Sequence, residues 1–239
     1  MSSTTGKPPI VLVHGAWHGA WCWKRVLPGL RGAGHEVFAP TLTGCGDRVH
    51  LAGPAVDLDT HIADVLGLLE AEELSDVVLV GHSYAGMVIT GVADRAGGRL
   101  RSLVYLDAFV PERGRSLMDY LPAERRAASI EAGERSGFLE PPDAKYFGVN
   151  DPADYAWVMR RMTRQPFATM SQPLHLAGDG GAKLPRTYVY CSSPATGTFD
   201  QFAARLRSEP RWRFHELAAG HDCMVTAPEA LVKILLEST

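Results

Sequence analysis

The stretch DVVLVGHSYAGM, residues 76–87, decides the fold. It begins with an apolar, β-branched run that is typical of a strand buried on both faces, and it continues into a helical pattern. Between the two lies a tight turn with Ser83 at its tip. The chain crowds itself on either side of such a turn, so small residues are needed there, and Gly81 and Ala85 meet that need. The pattern predicts a serine at the tip of a strained strand-to-helix turn.

The same apolar run recurs along the chain, with helical patterns between the runs. Strands that alternate with helices form a mostly parallel sheet with helices on both faces. The sequence therefore predicts an α/β fold with about six strands in its sheet. The predicted strands span residues 10–13, 36–39, 77–80, 103–106, 187–190 and 212–217, and the predicted helices span residues 21–32, 58–70, 85–96, 199–208 and 228–237.

The alternation breaks once, at about residues 111–185, where roughly 75 residues pass without a buried strand. Helical patterns at residues 122–137 and 151–164 lie inside this segment. Long excursions from a compact sheet usually cover a functional site. We expect one domain over residues 1–239 with a helical cap at about 111–185. The alternative is an insertion that stabilises the fold without touching a substrate.

Composition limits the possible partners. The 239 residues are 46% hydrophobic and 21% charged, as in soluble globular proteins, and the net charge of −3 comes from interspersed acidic and basic residues. No basic patch for nucleic acid, no membrane-spanning run and no signal peptide is predicted, so we expect a cytoplasmic protein. The four cysteines form no CxxC or zinc pattern. Free thiols, and neither a metal nor a cofactor, are expected.

Three motifs together carry a resemblance to a known family. The turn around Ser83, VLVHGAWHGAW at residues 11–21 and AAGHDCMVTAP at residues 218–228 resemble the α/β-hydrolase superfamily. Within it, the chain is similar to the branch of plant methyl-ester hydrolases, hydroxynitrile lyases and related bacterial carboxylesterases. The resemblance implies hydrolysis of a small-molecule ester, fairly apolar, through an acyl-enzyme on Ser83.

A serine hydroxyl needs a nearby imidazole to accept its proton, so one of the nine histidines should meet Ser83 in space. His221 follows the last predicted strand in a glycine-containing loop, where the superfamily places its general base. The side chain of His82 should leave the turn in another direction. His18, beside the first loop, is expected to line the substrate pocket.

The third member of the predicted triad is an acid. In this branch it normally lies in the loop after the fifth sheet strand, but residues 191–195 hold no carboxylate. Asp107, at the carboxyl end of the preceding strand, is the natural substitute; the alternative is that Asp107 only orders a turn. Asp200 and Asp222 are poorer candidates, since the first should start a helix and the second should point away from the ring of its neighbour His221.

The resemblance also assigns an oxyanion hole and leaves other functions open. It gives the backbone N–H groups of Ala16 and Tyr84 the role of oxyanion donors. The related hydroxynitrile lyases carry threonine where this chain has Gly15 and lysine where it has Asp222. A lyase, a non-catalytic ligand receptor and a cofactor-free oxygenase on the same scaffold are the alternatives to an esterase.

Overall fold

A central sheet organises the molecule. The computed structural model describes residues 6–239, so residues 1–5 of the predicted domain and of its polar N-terminal stretch lie outside it. In the described part the strands are β1 (Ile10–Val13), β2 (Val37–Phe38), β3 (Val77–His82), β4 (Leu100–Leu106), β5 (Phe138–Leu139), β6 (Gln165–Pro166), β7 (Arg186–Cys191) and β8 (Trp212–Leu217).

The predicted sheet is confirmed. Six strands pair in the order β2-β1-β3-β4-β7-β8, and every pairing in this sheet is parallel. The strand expected over residues 36–39 is shorter, and β4 begins at Leu100, before the predicted start. Because the strands are parallel, the carboxyl ends of β3, β4, β7 and β8 meet at one edge of the sheet, where α/β folds bind their ligands.

Helices cover both faces of the sheet. They are α1 (Leu27–Gly32), α2 (Leu58–Ala71), α3 (Ala85–Ala96), α4 (Ala123–Ser136), α5 (Pro152–Met159), α6 (Ala168–Ser171), α7 (Asp200–Leu206), α8 (Cys223–Thr226) and α9 (Pro228–Glu237). The helix expected over residues 21–32 is divided into a 3-10 turn, Ala20–Trp23, and α1. Pro28 explains the division, because its ring excludes a continuous helix through the preceding turn.

Alternating residues of the sheet strands pack against two separate cores. In β1, Val11 and Val13 join the core under α2, α3 and α7, whereas Ile10 and Leu12 join the core under α1 and α9. All four side chains are fully buried, which is why the strand is a continuous apolar run. Each such side chain stabilises the fold by about 1.5–3 kcal/mol. The sheet is thus a rigid support for the loops at its carboxyl edge.

The segment between β4 and β7 holds α4, α5, α6 and a small antiparallel pair, β5 with β6. The expected helices are present, although α5 ends at Met159, before the predicted end. The pair β5–β6 was not predicted, because strands of two residues are too short to show a period in the sequence.

Candidate active site

Ser83 lies at the tip of the turn between β3 and α3. Its φ angle is +56°, in the left-handed region that residues other than glycine seldom adopt. The Ser83 N–H donates to the Leu106 carbonyl (3.1 Å), and the Phe109 N–H donates to the Ser83 carbonyl (3.2 Å). Strand β4 and the loop after it therefore hold the strained backbone in place.

Close packing around Ser83 requires small residues. A Cβ atom on Gly81 would lie 2.8 Å from the Ala85 carbonyl oxygen, which is too close for a side chain. Ala85 is fully buried, and its methyl group is accommodated. The tightest approach was missed in the sequence: a Cβ atom on Gly86 would overlap the Phe109 carbonyl oxygen. The Ala-Gly pair after Tyr84 was the available signal, but a sequence does not show what a glycine touches.

His221 lies in the loop between β8 and α8. Its ring is 3% exposed and stacks on Phe199 with 4.9 Å between ring centroids. His221 Nδ1 lies 2.7 Å from Asp107 Oδ2. An ionised carboxylate only accepts hydrogen bonds, so Nδ1 carries the proton and Nε2 is the basic nitrogen. Ser83 and His221 line the same cavity.

Asp107 directly follows β4 and is buried beside β7. Its φ angle is +41°, and its N–H donates to the Val189 carbonyl (2.7 Å). The second carboxylate oxygen, Oδ1, accepts from the Cys191 N–H (3.2 Å). Burial raises the pKa of Asp107, while the hydrogen bond with His221 opposes that rise. The loop that lacks the family's carboxylate thus supplies a donor to Asp107, whose role in a reaction stays a prediction.

The two other acids considered from the sequence have different partners. Asp200 is the first residue of α7 and accepts a hydrogen bond from the Tyr190 hydroxyl (2.7 Å). Asp222 Oδ2 lies 3.0 Å from His18 Nε2. Neither carboxylate is bonded to the His221 ring, which has Asp107 on Nδ1.

The residues assigned to the oxyanion hole, Ala16 and Tyr84, both line the cavity. Within the described residues, neither backbone N–H donates to another protein group. His14 fixes the peptide that contains the Ala16 N–H, because its Nδ1 lies 2.8 Å from the Gly15 carbonyl oxygen. The Leu42 N–H donates to His14 Nε2 (3.0 Å), so the imidazole proton is on Nδ1. Burial lowers the pKa of His14 to about 3, which keeps the ring neutral.

The expectation that His18 lines the pocket is corrected by the structure. The His18 side chain is 1% exposed and does not belong to the cavity lining. Its Nδ1 lies 2.7 Å from the Ala16 carbonyl oxygen, and its Nε2 faces Asp222. Both ring nitrogens are therefore engaged inside the protein, and the side chain has no polar atom left for a substrate.

His82 leaves the turn away from the cavity. Its ring is fully buried, and its Nε2 lies 3.0 Å from the His221 carbonyl oxygen. Burial, together with the nearby His221, lowers the pKa of His82 well below 6.5, its ordinary value. His82 and Ser83 leave no room for a side chain at residue 15, because a Cβ atom on Gly15 would lie 2.8 Å from His82 Nδ1 and 2.9 Å from Ser83 Cβ. The threonine of the related lyases does not fit this backbone.

A cavity of about 470 Å³ lies over the turn. Ser83, Tyr84, Ala16 and His221 line it, and the segment between β4 and β7 supplies much of the rest. Large apolar side chains predominate, including Leu117, Met118, Leu121, Phe138, Leu139 and Met170. The volume falls within the range of small-molecule sites.

Two further features concern residues 6–239. No group of three or more histidine, cysteine, aspartate or glutamate side chains is arranged there to hold a metal ion. No helix of this range has both the length and the apolar character needed to cross a membrane.

Comparison with known proteins places the chain in a family. It belongs to the alpha/beta hydrolase family, whose sequence model matches residues 10–234. A carbendazim hydrolyzing esterase from Nocardioides sp. (strain SG-4G) is 48% identical over 238 residues, covering 94% of this chain and 97% of that protein. Methylesterase 3 of Arabidopsis thaliana is 27% identical, covering 99% of this chain and 98% of the relative.

Solved structures agree with this placement. An extracellular alpha/beta-hydrolase from a Paenibacillus species has a TM-score of 0.86 at 23% identity, covering 97% of this chain and 98% of that chain. The methylesterase MES16 from Arabidopsis has a TM-score of 0.75 at 22% identity, covering 97% and 98%. At these identities the structures show the shared fold. The predicted fold and branch are confirmed, and the family with its named esterases identifies the chain as an ester hydrolase.

Proposed function

We propose that the chain is a serine carboxylesterase that cleaves a small, fairly apolar ester through an acyl-enzyme on Ser83. The observation that carries the proposal is the 2.7 Å contact between Asp107 and His221 beside a cavity that Ser83 also lines. A serine becomes a nucleophile when an imidazole accepts its proton, and a carboxylate orients and stabilises that imidazole. These are the groups present here.

The proposed reaction has two halves. Ser83 Oγ attacks the ester carbonyl carbon while His221 Nε2 takes the hydroxyl proton, and the N–H groups of Ala16 and Tyr84 bind the resulting oxyanion. The intermediate collapses, the alcohol leaves with the proton from His221, and the acyl group remains on Ser83. Water then attacks the acyl-enzyme by the same route and releases the carboxylic acid.

The walls of the cavity support an apolar substrate. Aliphatic and aromatic side chains of the predicted cap face the space over Ser83, and they bind hydrocarbon by excluding water. Lactones and thioesters react by the same acyl transfer and are possible variants. The 48% identical relative is named for carbendazim, which makes carbendazim a candidate substrate of this chain.

Specific contacts argue against the lyase alternative. The lyases of this branch place threonine at the position of Gly15, where a Cβ atom would lie 2.9 Å from Ser83 Cβ. They place a lysine at the position of Asp222, whose carboxylate here is fully buried beside His18. A cyanide leaving group needs a positive neighbour, and this position supplies a negative one.

Substitution of Ser83 by alanine tests the proposal. We expect Ser83→Ala to fold normally and to lose p-nitrophenyl ester hydrolysis by roughly a millionfold, because the attacking atom is gone. Ser102→Ala is the matched control: Ser102 is a buried serine of β4 outside the cavity. It should keep its activity.

A serine-directed phosphonate provides a second measurement. It should label the wild-type protein once, at Ser83, and abolish hydrolysis. Ester turnover by Ser83→Ala at the wild-type rate would refute the acyl-enzyme on Ser83. Oxygen consumption without turnover of any ester would favour the oxygenase. Cyanide release from cyanohydrins by the wild-type protein would favour the lyase. Tight ligand binding without turnover of any ester would favour the receptor.

A further inference from the structure

His18 and Asp222 form a second histidine–aspartate pair that the proposed reaction does not use. The two side chains are 204 residues apart in sequence and 3.0 Å apart in space, between His18 Nε2 and Asp222 Oδ2. Their exposed fractions are 1% and 0%. Burying two ionisable groups is costly unless they compensate each other, so a pair this deep needs an explanation.

The hydrogen bonds of His18 define its protonation. Its Nδ1 lies 2.7 Å from the Ala16 carbonyl oxygen, which only accepts, so Nδ1 carries a proton. Its Nε2 faces a carboxylate, and an ionised carboxylate also only accepts. Both nitrogens then carry protons, which makes the ring an imidazolium. Burial lowers the pKa of His18, but the Asp222 carboxylate raises it by more, and the pKa ends above 6.5, the ordinary value.

Four other titratable groups near the pair, two imidazoles and two thiols, are held in their neutral forms. Burial lowers the pKa of both imidazoles and raises the pKa of the Cys22 thiol, and a hydrogen bond with Cys223, together with burial, raises the pKa of the Cys191 thiol, so these groups stay neutral near pH 7. The charge that faces His18 is therefore that of Asp222. The neutral groups are His14, His82, Cys22 and Cys191.

The pair joins two loops that meet at the cavity. His18 holds the carbonyl of Ala16, whose N–H is the assigned oxyanion donor. Asp222 follows His221, the proposed base, and its own N–H donates to the Phe147 carbonyl (3.0 Å) of the cap. The His18 ring also stacks on Trp21 with 5.2 Å between centroids, so it has little freedom to turn.

We propose that the His18–Asp222 pair is a positioning pair, which sets the distance between the oxyanion donor and the base. The proposal rests on the proposed esterase function. The pair touches no substrate and acts through Ala16 and His221. Oxyanion stabilisation depends on donors held where charge develops, so a small displacement of the Ala16 loop should slow the reaction more than it weakens substrate binding.

Kinetics of Asp222 variants test the proposal. We expect Asp222→Ala to lower kcat for a p-nitrophenyl ester by about a hundredfold while KM changes by less than about threefold, because the loss falls on the transition state. Asp222→Asn should recover most of this loss, since its amide can donate to Nε2 of a neutral His18 and keep the loops joined.

A matched control separates positioning from stability. His35 is another buried histidine, and its Nδ1 also holds a backbone carbonyl, that of Pro8 (2.9 Å), away from the cavity. His35→Ala should lower the free energy of unfolding and leave kcat unchanged. A kcat for Asp222→Ala equal to that of His35→Ala would overturn the proposal. An inactive wild-type protein would instead refute the esterase function itself.

Nitrogen NMR provides a readout that does not need turnover. With ¹⁵N-labelled histidine, both ring nitrogens of His18 should be protonated at pH 6 in the wild-type protein and in Ser83→Ala. In Asp222→Asn, only one should be protonated. A neutral His18 ring in the wild-type protein would overturn the ionic pair, whatever the activity of the enzyme.

Discussion

Asp107 shows how one residue's backbone sets the direction of a carboxylate. Its left-handed φ of +41° turns the side chain off the end of β4, toward His221 Nδ1 on one oxygen and the Cys191 N–H on the other. A carboxylate with both oxygens bonded has few other orientations. The proposed base is thereby held in one tautomer, in which Nε2 is the basic nitrogen.

Replacing this carboxylate by an amide tests that role. We expect Asp107→Asn to lower kcat by roughly three to four orders of magnitude, because an amide N–H facing Nδ1 moves the ring proton to Nε2, the wrong tautomer for a base. KM should change little. Asp200→Asn is the control: its amide oxygen can still accept from the Tyr190 hydroxyl, and the variant should keep nearly full activity. Equal activity of the two variants would remove Asp107 from the triad.

Residues of the candidate site could be singled out from the sequence where a local motif marks them. Ser83 is marked by its strand, turn and helix, and His221 by the order of motifs along the chain. The role of His18 was mispredicted, because its partner Asp222 is 204 residues away and a sequence alone does not show that contact. The contact of Gly86 with Phe109 was missed for the same reason.

Among the elements, helix α4 forms part of the cavity wall. It contributes Arg125, Ala128 and Ala132 to the lining, and through Gly133 it packs against Phe167, which also lies in the segment between β4 and β7. A Cβ atom on Gly133 would overlap the ring of Phe167. Glycine weakens a helix, so its presence inside α4 is explained by this close approach.

Gly133→Ala should therefore destabilise the protein, although alanine has a higher helix propensity than glycine. We expect it to lower the free energy of unfolding by about 1–3 kcal/mol, because the new methyl group forces α4 and Phe167 apart. KM should rise as the wall moves. Gly67→Ala in α2, where a Cβ atom meets nothing within 4 Å, is the control and should raise the free energy of unfolding by up to about 1 kcal/mol. Urea unfolding of both variants measures the contrast, and a stabilised Gly133→Ala would contradict this packing.

Element boundaries followed from sequence where the period was long and failed where it was short. The helix α9 was predicted at its observed bounds, Pro228–Glu237, because its proline start and apolar stripe are local signals. The strands β5 and β6 have two residues each, which is too short to show a hydrophobic period, and they pair with each other within the segment between β4 and β7. Their pairing depends on tertiary contacts that propensity does not contain.

Across the whole molecule, burial of neutral histidines links folding to pH. The pKa of His14 is lowered to about 3 and that of His61 to about 4, in both cases chiefly by burial. Burial, together with the nearby His221, lowers the pKa of His82 well below 6.5. In the unfolded chain a histidine titrates near 6.5. Below that pH the unfolded state therefore binds protons that the folded state does not.

Stability should consequently fall as the pH is lowered from 7.5 to 5.5. His14 and His61 together should cost roughly 3 kcal/mol of unfolding free energy over this range, and His82 acts in the same direction. His18 acts in the opposite direction above pH 6.5, because its raised pKa lets the folded state bind a proton before the unfolded state does, and it offsets part of the loss there; below 6.5 its contribution stays constant. Urea unfolding at each pH measures the slope. His61→Gln should reduce the slope by about one proton, because it removes one of the buried rings. An unfolding free energy that stays constant from pH 7.5 to 5.5 would mean that these buried rings gain protons in the folded state. The tautomer assigned to His14, which contacts the peptide that contains the Ala16 N–H, would then be wrong.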